Sequence, residues 1–361
     1  MNQRIIYFIF SLVVLFTVFL YLDEKVENQT EVSFLKENWK VIRFIPPKTT
    51  WCGEKDPAFS ESLVQMEIFD RGWQKPPVFS VTNIDINSQE KLTYEGNFNI
   101  KNTFSDMSVL RTKFIEVTTD PINESNCLKD DAPTFILSKD FLDISQDLPG
   151  KKMMIGKKLG SDSSRVIARI DAQIISPYTY LVDKFRANPI TLRERQFFAY
   201  SGGFLSYIHL SGQGLDVRVE NTAKKNQYDT YVNHWSRLTG ERIVLPPDVG
   251  NQFENQIRSL RADLYPDEAN GPGIKLSAET KNSIPEMTLE ISHSQRYSWK
   301  LFIFAKIDWN GQSYRPILRE IQPHFKESIS YLKEETFQNF LQSALNVKNA
   351  SRFERPNQKI Q

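Results

Sequence analysis

Cysteine and histidine are scarce in this chain: Cys52 and Cys127 are the only cysteines, and only four of the 361 residues are histidine. Two cysteines allow one disulfide at most. The histidines, His209, His234, His293 and His324, show neither H-E-x-x-H nor another zinc-ligand spacing. Charge of one sign is also missing. Lys plus Arg number 45 against 44 for Asp plus Glu, so no global field recruits nucleic acid or an acidic partner. No Asp-x-Asp of a metal-dependent glycosyltransferase occurs; Asp85-Ile-Asn87 and Asp229-Thr-Tyr231 both lack the second acid. Ser201 to Ser206 is not the G-x-S-x-G elbow that exposes a nucleophile. In Gly150-Lys-Lys-Met-Met-Ile-Gly156-Lys157-Lys158 the glycines are one residue too far apart for a phosphate loop, and a second Lys replaces Ser or Thr. That stretch reads as a solvated basic connector, 150–160.

What the chain does have is one long apolar run, Ile5 to Leu22, IIYFIFSLVVLFTVFLYL. At about 1.5 Å per residue it reaches roughly 27 Å, close to the hydrocarbon thickness of a bilayer. Tyr7 and Tyr21 sit where amphipathic rings favour the headgroups. A cleaved signal peptide is the alternative, but its apolar region is shorter and ends in small residues, whereas this run ends Phe19-Leu20-Tyr21-Leu22. The run therefore reads as an uncleaved anchor. Arg4 precedes it, and Asp23, Glu24 and Glu27 outnumber Lys25 after it, which places the N-terminus in the cytoplasm and the body beyond the membrane, periplasmic or lumenal/extracellular. In an oxidising compartment Cys52 and Cys127 could pair, and so long a loop stabilises by about 4 kcal/mol on the chain-entropy model. Two buried thiols fit the sequence equally well.

Beyond the anchor the hydrophobic patterning changes character near Pro149. Before it, period-two alternation marks a strand over Lys91–Lys101, and less regular strands are read at Ser62–Phe69, Val78–Ile86, Ser108–Thr118 and Thr134–Leu137. After it come a strand over Arg165–Ile175, a short helix opened by a Thr191–Glu194 capping box, and strands over Phe204–Leu210 and Leu215–Glu220. Tyr228, Tyr231, Val232, Trp235 and Leu238 recur at helical spacing, as do Phe253, Ile257, Leu260 and Leu264. Strands return at Ile274–Glu279, Met287–His293 and Trp299–Leu318, the last folded at Asn310-Gly311, the favoured two-residue hairpin turn. A helix carrying Phe337, Phe340, Leu341 and Ala344 closes the fold.

Three clusters invite chemistry, each beside a plainer reading. The Tyr228/Tyr231/Trp235 stripe is a sugar- or lipid-stacking platform or simply core. Asp263, Asp267, Glu268 and Asn270 form an oxygen-rich loop without calcium-loop spacing, which reads as helix-end turn chemistry. Asp216 and Glu220 share a strand face roughly 13 Å apart, too far for a glycosidase pair, and read as a solvated face.

The expected fold is α+β: an N-terminal single transmembrane helix, a β-rich sandwich-like block and a mixed α+β block. The expected boundaries are 1–22 for the cytoplasmic tip and anchor, 23–50 for a juxtamembrane stalk, 51–149 for the β-rich domain, 150–345 for the α+β domain and 346–361 for a disordered tail. The leading function is binding, or a structural role in an envelope or secretory-pathway assembly. Its partners are the lipid bilayer and a protein of the same membrane or envelope, with no nucleic acid. The alternatives are a membrane-tethered enzyme acting on glycans or lipids and a lipid-carrying β-sandwich. No residue is assigned to catalysis, a cofactor or a metal.

Overall fold

The structure, a computed structural model, describes residues 32–47, 62–69, 77–85, 91–117, 124–159, 162–186, 189–199, 203–228, 230–294, 298–322 and 325–351. Ile5 to Leu22 and Cys52 lie outside them. No helix among the described residues is long and apolar enough to cross a membrane. The chain is β-rich with a few helices, an α+β protein. It divides into two compact units, each assembled from separated stretches: 1–60, 102–142 and 147–187 in the first, and 61–101, 143–146 and 188–361 in the second.

In the first unit the strands pair antiparallel in the order Val32–Ser33, Arg111–Val117, Gln173–Pro177, Asp162–Ile170, Lys151–Leu159, Thr134–Ser138, Val41–Ile45. Helix α1 (Phe98–Val109) enters the unit at Asn102, and Trp39 donates its indole N–H to the Met107 carbonyl at 3.2 Å. Helix α2 (Tyr180–Arg186) turns Phe185 into the core, stacked on Phe44 at 4.7 Å and edge-on to Phe135 at 5.1 Å. Such ring pairs add about 0.5–1.5 kcal/mol beyond area burial. At the surface Glu37 takes Lys139 at 2.7 Å and Lys151 at 2.8 Å, and those hydrogen bonds hold its carboxyl down at about 2.

Two expectations are corrected here. The 150–160 stretch is a strand, Lys151–Leu159, because Met153 and Ile155 alternate into the core while the lysines take the wetter positions. The single strand expected over Arg165–Ile175 is two, joined at Asp171-Ala172, where Asp171 adopts a left-handed φ of 53°. Val166, Ala168 and Ile170 do point inward.

In the second unit Ser62–Phe69, Val78–Asp85 and Lys91–Glu95 pair antiparallel in succession. A larger antiparallel sheet runs Ile243–Val244, Trp235–Arg237, Leu215–Asn221, Leu205–Gly212, Met287–His293, Ser298–Ile303, Gln312–Gln322, Ile307–Trp309. The hairpin expected at Asn310-Gly311 forms with both residues at positive φ, 50° and 75°. Helix α3 (Pro247–Ser259) sends Phe253 and Ile257 inward. Helix α4 (Ile274–Lys281) occupies the stretch expected as a strand. Helix α5 (Glu334–Asn349) stacks Phe340 on Phe253 at 6.0 Å, and the chain just before it, Ser330–Lys333, is a strand.

Charge is buried at the heart of this unit. The Arg319 guanidinium bonds both Glu327 oxygens at 2.6 Å, lies 2.9 Å from Glu95 and reaches the Gln196 and Phe197 carbonyls. Burial disfavours its charge, but Glu327 and Glu95 outweigh that and push its pKa up. Arg193 grips Asp267 with two hydrogen bonds, 2.6 and 2.5 Å, and lies over the rings of Tyr94 (4.3 Å) and Tyr265 (5.0 Å). Burial raises the Tyr94 and Tyr265 hydroxyls, so both stay neutral.

The Lys91–Lys101 strand stops at Glu95. Asn97 accepts the Asn99 N–H at 2.9 Å and donates to the Thr191 carbonyl at 2.8 Å, capping α1 and turning the chain away. Leu92 and Tyr94 are buried as expected, but Phe98 is 69% exposed. The Thr191–Glu194 capping box opens no helix; Pro189–Leu192 is a single 3-10 turn, and Glu194 instead accepts the Gln196 N–H at 2.9 Å.

Candidate ligand-binding pocket

The helix expected over Tyr228–Leu238 does not form, and its replacement builds a pocket. Asn226 accepts hydrogen bonds from the N–H groups of Tyr228 (2.9 Å) and Thr230 (3.1 Å) and from the Thr230 hydroxyl (2.7 Å). Local side-chain bonds of this kind compete with helix formation. The chain folds instead into short strands, Lys224–Lys225 against Tyr231–Val232, and then Trp235–Arg237 against Leu215–Asn221.

Tyr231, Val232, Asn233 and His234 form one wall of a cavity of about 570 Å³. The other wall is α3. Asn251, Glu254, Asn255 and Arg258 follow one another at spacings of three, one and three, a single helical face. Gly250 lets that helix approach, since a Cβ there would stand 2.7 Å from Trp235 Cδ1.

A chain of hydrogen bonds fixes the floor. Asn221 is buried and donates to the Leu205 carbonyl (3.0 Å) and to Asn233 Oδ1 (2.9 Å), while accepting the His234 N–H (3.0 Å). Asn233 donates in turn to Glu254 Oε2 at 2.6 Å, which also takes the Trp235 indole N–H at 3.2 Å. Arg258 Nε donates to Glu254 Oε1 at 2.8 Å. A buried carboxylate is costly unless paired and fully bonded, and Glu254 is both. Electrically the floor is closed: one anion, one cation.

The aromatic stripe divides. Trp235 is core, 3% exposed, whereas Tyr228 and Tyr231 are 76% and 40% exposed. Tyr231 is braced by Phe204, ring centroids 4.8 Å apart, with Lys225 5.7 Å above its ring.

The other sequence candidates settle into structural roles. Asp267 and Glu268 pair with Arg193 and Arg195, and Asp263 accepts the Lys333 N–H at 2.8 Å. Asp216 faces His209 (3.0 Å) and Arg218 (3.2 Å), and Glu220 faces Arg242 (3.0 Å). Exposed pairs of this kind contribute about 0–1 kcal/mol. A second cavity, about 390 Å³, is lined by Asn97, Thr191, Arg193 and Arg195, but both arginines are already committed to acids. Cys127 follows the Glu124–Asn126 turn with a left-handed φ of 59°, and no described cysteine is a free thiol.

Sequence reasoning found Tyr231 but missed Asn221, Asn233, Asn251, Glu254 and Arg258. The readable signal was the density of asparagine from Asn221 to Asn255, which favours turns and side-chain relays over a continuous helix. No family model matches the chain, and neither a curated protein nor a solved structure matches it.

Proposed function

We propose that this chain is a membrane-tethered binding protein whose ligand enters the pocket between Tyr231 and α3. The observation that carries this reading is the cavity of about 570 Å³ whose polar floor, Asn221–Asn233–Glu254, is held by its own hydrogen bonds. Volumes of roughly 300–1,000 Å³ with a few fixed polar groups are usual for ligand sites. Binding is favoured over glycoside hydrolysis because Glu254 is the one carboxylate among the described lining residues, and hydrolysis needs two. Tethering belongs to the same proposal. Ile5 to Leu22 span the bilayer, the N-terminus is cytoplasmic, and the body with its Cys52–Cys127 disulfide faces the far side, where a protein of the same membrane or envelope is a natural neighbour.

Two measurements test it on the full chain. A fragment library is screened by saturation-transfer NMR against the wild type and Asn255→Trp, in which an exposed helix residue fills the cavity. Hits that bind the wild type and vanish in the variant are expected; an identical hit list for both would remove the pocket. Protease added to sealed cells should digest the body and leave the N-terminal segment, and survival of the body would remove the orientation.

A further inference from the structure

We infer that the occupant of this pocket is a neutral saccharide. The inference rests on the pocket being a binding site and adds the class of ligand.

The first reason is charge. Glu254 and Arg258 neutralise one another at 2.8 Å, and no other Asp, Glu, Lys or Arg is among the described lining residues. A ligand of either sign would therefore shed its hydration shell against that lining without gaining a counter-charge there, Lys225 over the Tyr231 ring lying outside the lining.

The second reason is the kind of polar group. The Asn233 amide is spent on the Asn221–Glu254 floor, but the exposed Asn251 and Asn255 each carry a carbonyl oxygen beside an NH₂ group at the mouth, and His234 adds a ring with both roles. Alternating donors and acceptors suit hydroxyl groups, which give one hydrogen bond and accept two. A lipid chain would strand those amides unpaired, and only Tyr231, Val232 and Pro247 offer it apolar surface.

The third reason is Tyr231. Its ring is 40% exposed at the pocket wall and braced by Phe204, with Lys225 5.7 Å from its centroid, so the sugar would take the part of the ring that Phe204 and Lys225 leave open. A pyranose has one C–H face and a rim of hydroxyls, so it can lie on the tyrosine while its rim meets the asparagines. A flat, braced aromatic contributes contact area at low entropic cost.

The test is saturation-transfer NMR and calorimetry on the full chain in nanodiscs, with maltotriose, cellotriose and chitotriose as neutral probes and trigalacturonate and tri-glucosamine as charged ones. At least one neutral trisaccharide should bind saturably. Tyr231→Ala should weaken it about tenfold, Tyr231→Phe should keep it within about threefold, and Asn255→Trp should abolish it. Tighter binding of a charged trimer, or indifference to Tyr231→Ala, overturns the saccharide assignment. If no neutral probe binds while the fragment hits still distinguish wild type from Asn255→Trp, the saccharide is wrong and the pocket stands. If both fail, both readings fall.

Discussion

Among the largest fully buried side chains, those of the first unit are Phe44, Phe135, Phe185 and Ile42, whereas the second unit adds Arg319, Tyr94, Tyr265 and Tyr331 to its phenylalanines. The first unit buries arginine too, Arg43 and Arg165, but its largest fully buried side chains are rings and aliphatic groups, so the two cores differ in what fills their centres. Rings and aliphatic chains attract without much direction, so a hydrocarbon core accepts repacking at modest cost. A guanidinium bonded to two carboxylates and two carbonyls accepts one arrangement, and losing a partner leaves charge buried. In the second unit that constraint reaches the pocket by a short path. Beyond Ser259, α3 passes directly into the segment where Ala262 donates to the Arg195 carbonyl and Asp267 takes Arg193. The helix bearing Asn251, Glu254 and Arg258 is thus moored at its far end by directional bonds.

The contrast can be broken most forcefully at Arg319. Arg319→Ala should cost about 3–5 kcal/mol in denaturant unfolding, because Glu327 and Glu95 would remain buried without their cation. Conservative changes sharpen it. Arg319→Lys should still cost about 2–3 kcal/mol, since an ammonium cannot reproduce the bidentate grip, while Phe185→Leu in the first unit should cost about 1–1.5 kcal/mol. Equal losses for these two would erase the distinction. Tyr331 tests the opposite sign. Its buried hydroxyl has no hydrogen-bond partner among the described residues, so Tyr331→Phe should leave stability unchanged or raise it by up to about 1 kcal/mol. The smallest effect is expected at Glu37. Its folded carboxyl titrates at about 2 against an ordinary 4.5, so its contribution is complete above 4.5 and lost as pH falls towards 2. Glu37→Gln should lower stability by a small constant amount above pH 4.5, neutrality included, with the difference closing as pH falls towards 2; no difference at neutrality would contradict the pairing with Lys139 and Lys151.

Sequence patterning located several strands, including one whose alternation was irregular. Ser62–Phe69 and Met287–His293 form with the expected limits, and Asn310-Gly311 turns the chain as its chemistry demands. It failed where side chains outbid periodicity. Asn97 ends a strand whose alternation continues to Lys101, and Asn226 dissolves a helix whose apolar spacing looked sound. Gly150 to Gly160 misled in the other direction, since the adjacent lysine pairs Lys151-Lys152 and Lys157-Lys158 broke the alternation and disguised a strand. The pocket was legible only in part. Tyr231 stood out, but the relay joins residues 12 and 21 positions apart, Asn221 to Asn233 and Asn233 to Glu254, and no local period records that.

The interleaving of the two units sets a timetable for biosynthesis. Strand Lys91–Glu95 leaves the ribosome early, yet the Glu327 carboxylate that accepts the Glu95 N–H lies 232 residues downstream. At ordinary elongation rates that is a wait of roughly 10–50 s, during which the three strands from Ser62 to Glu95 have one another to pair with but not the carboxylate that ties the last of them down.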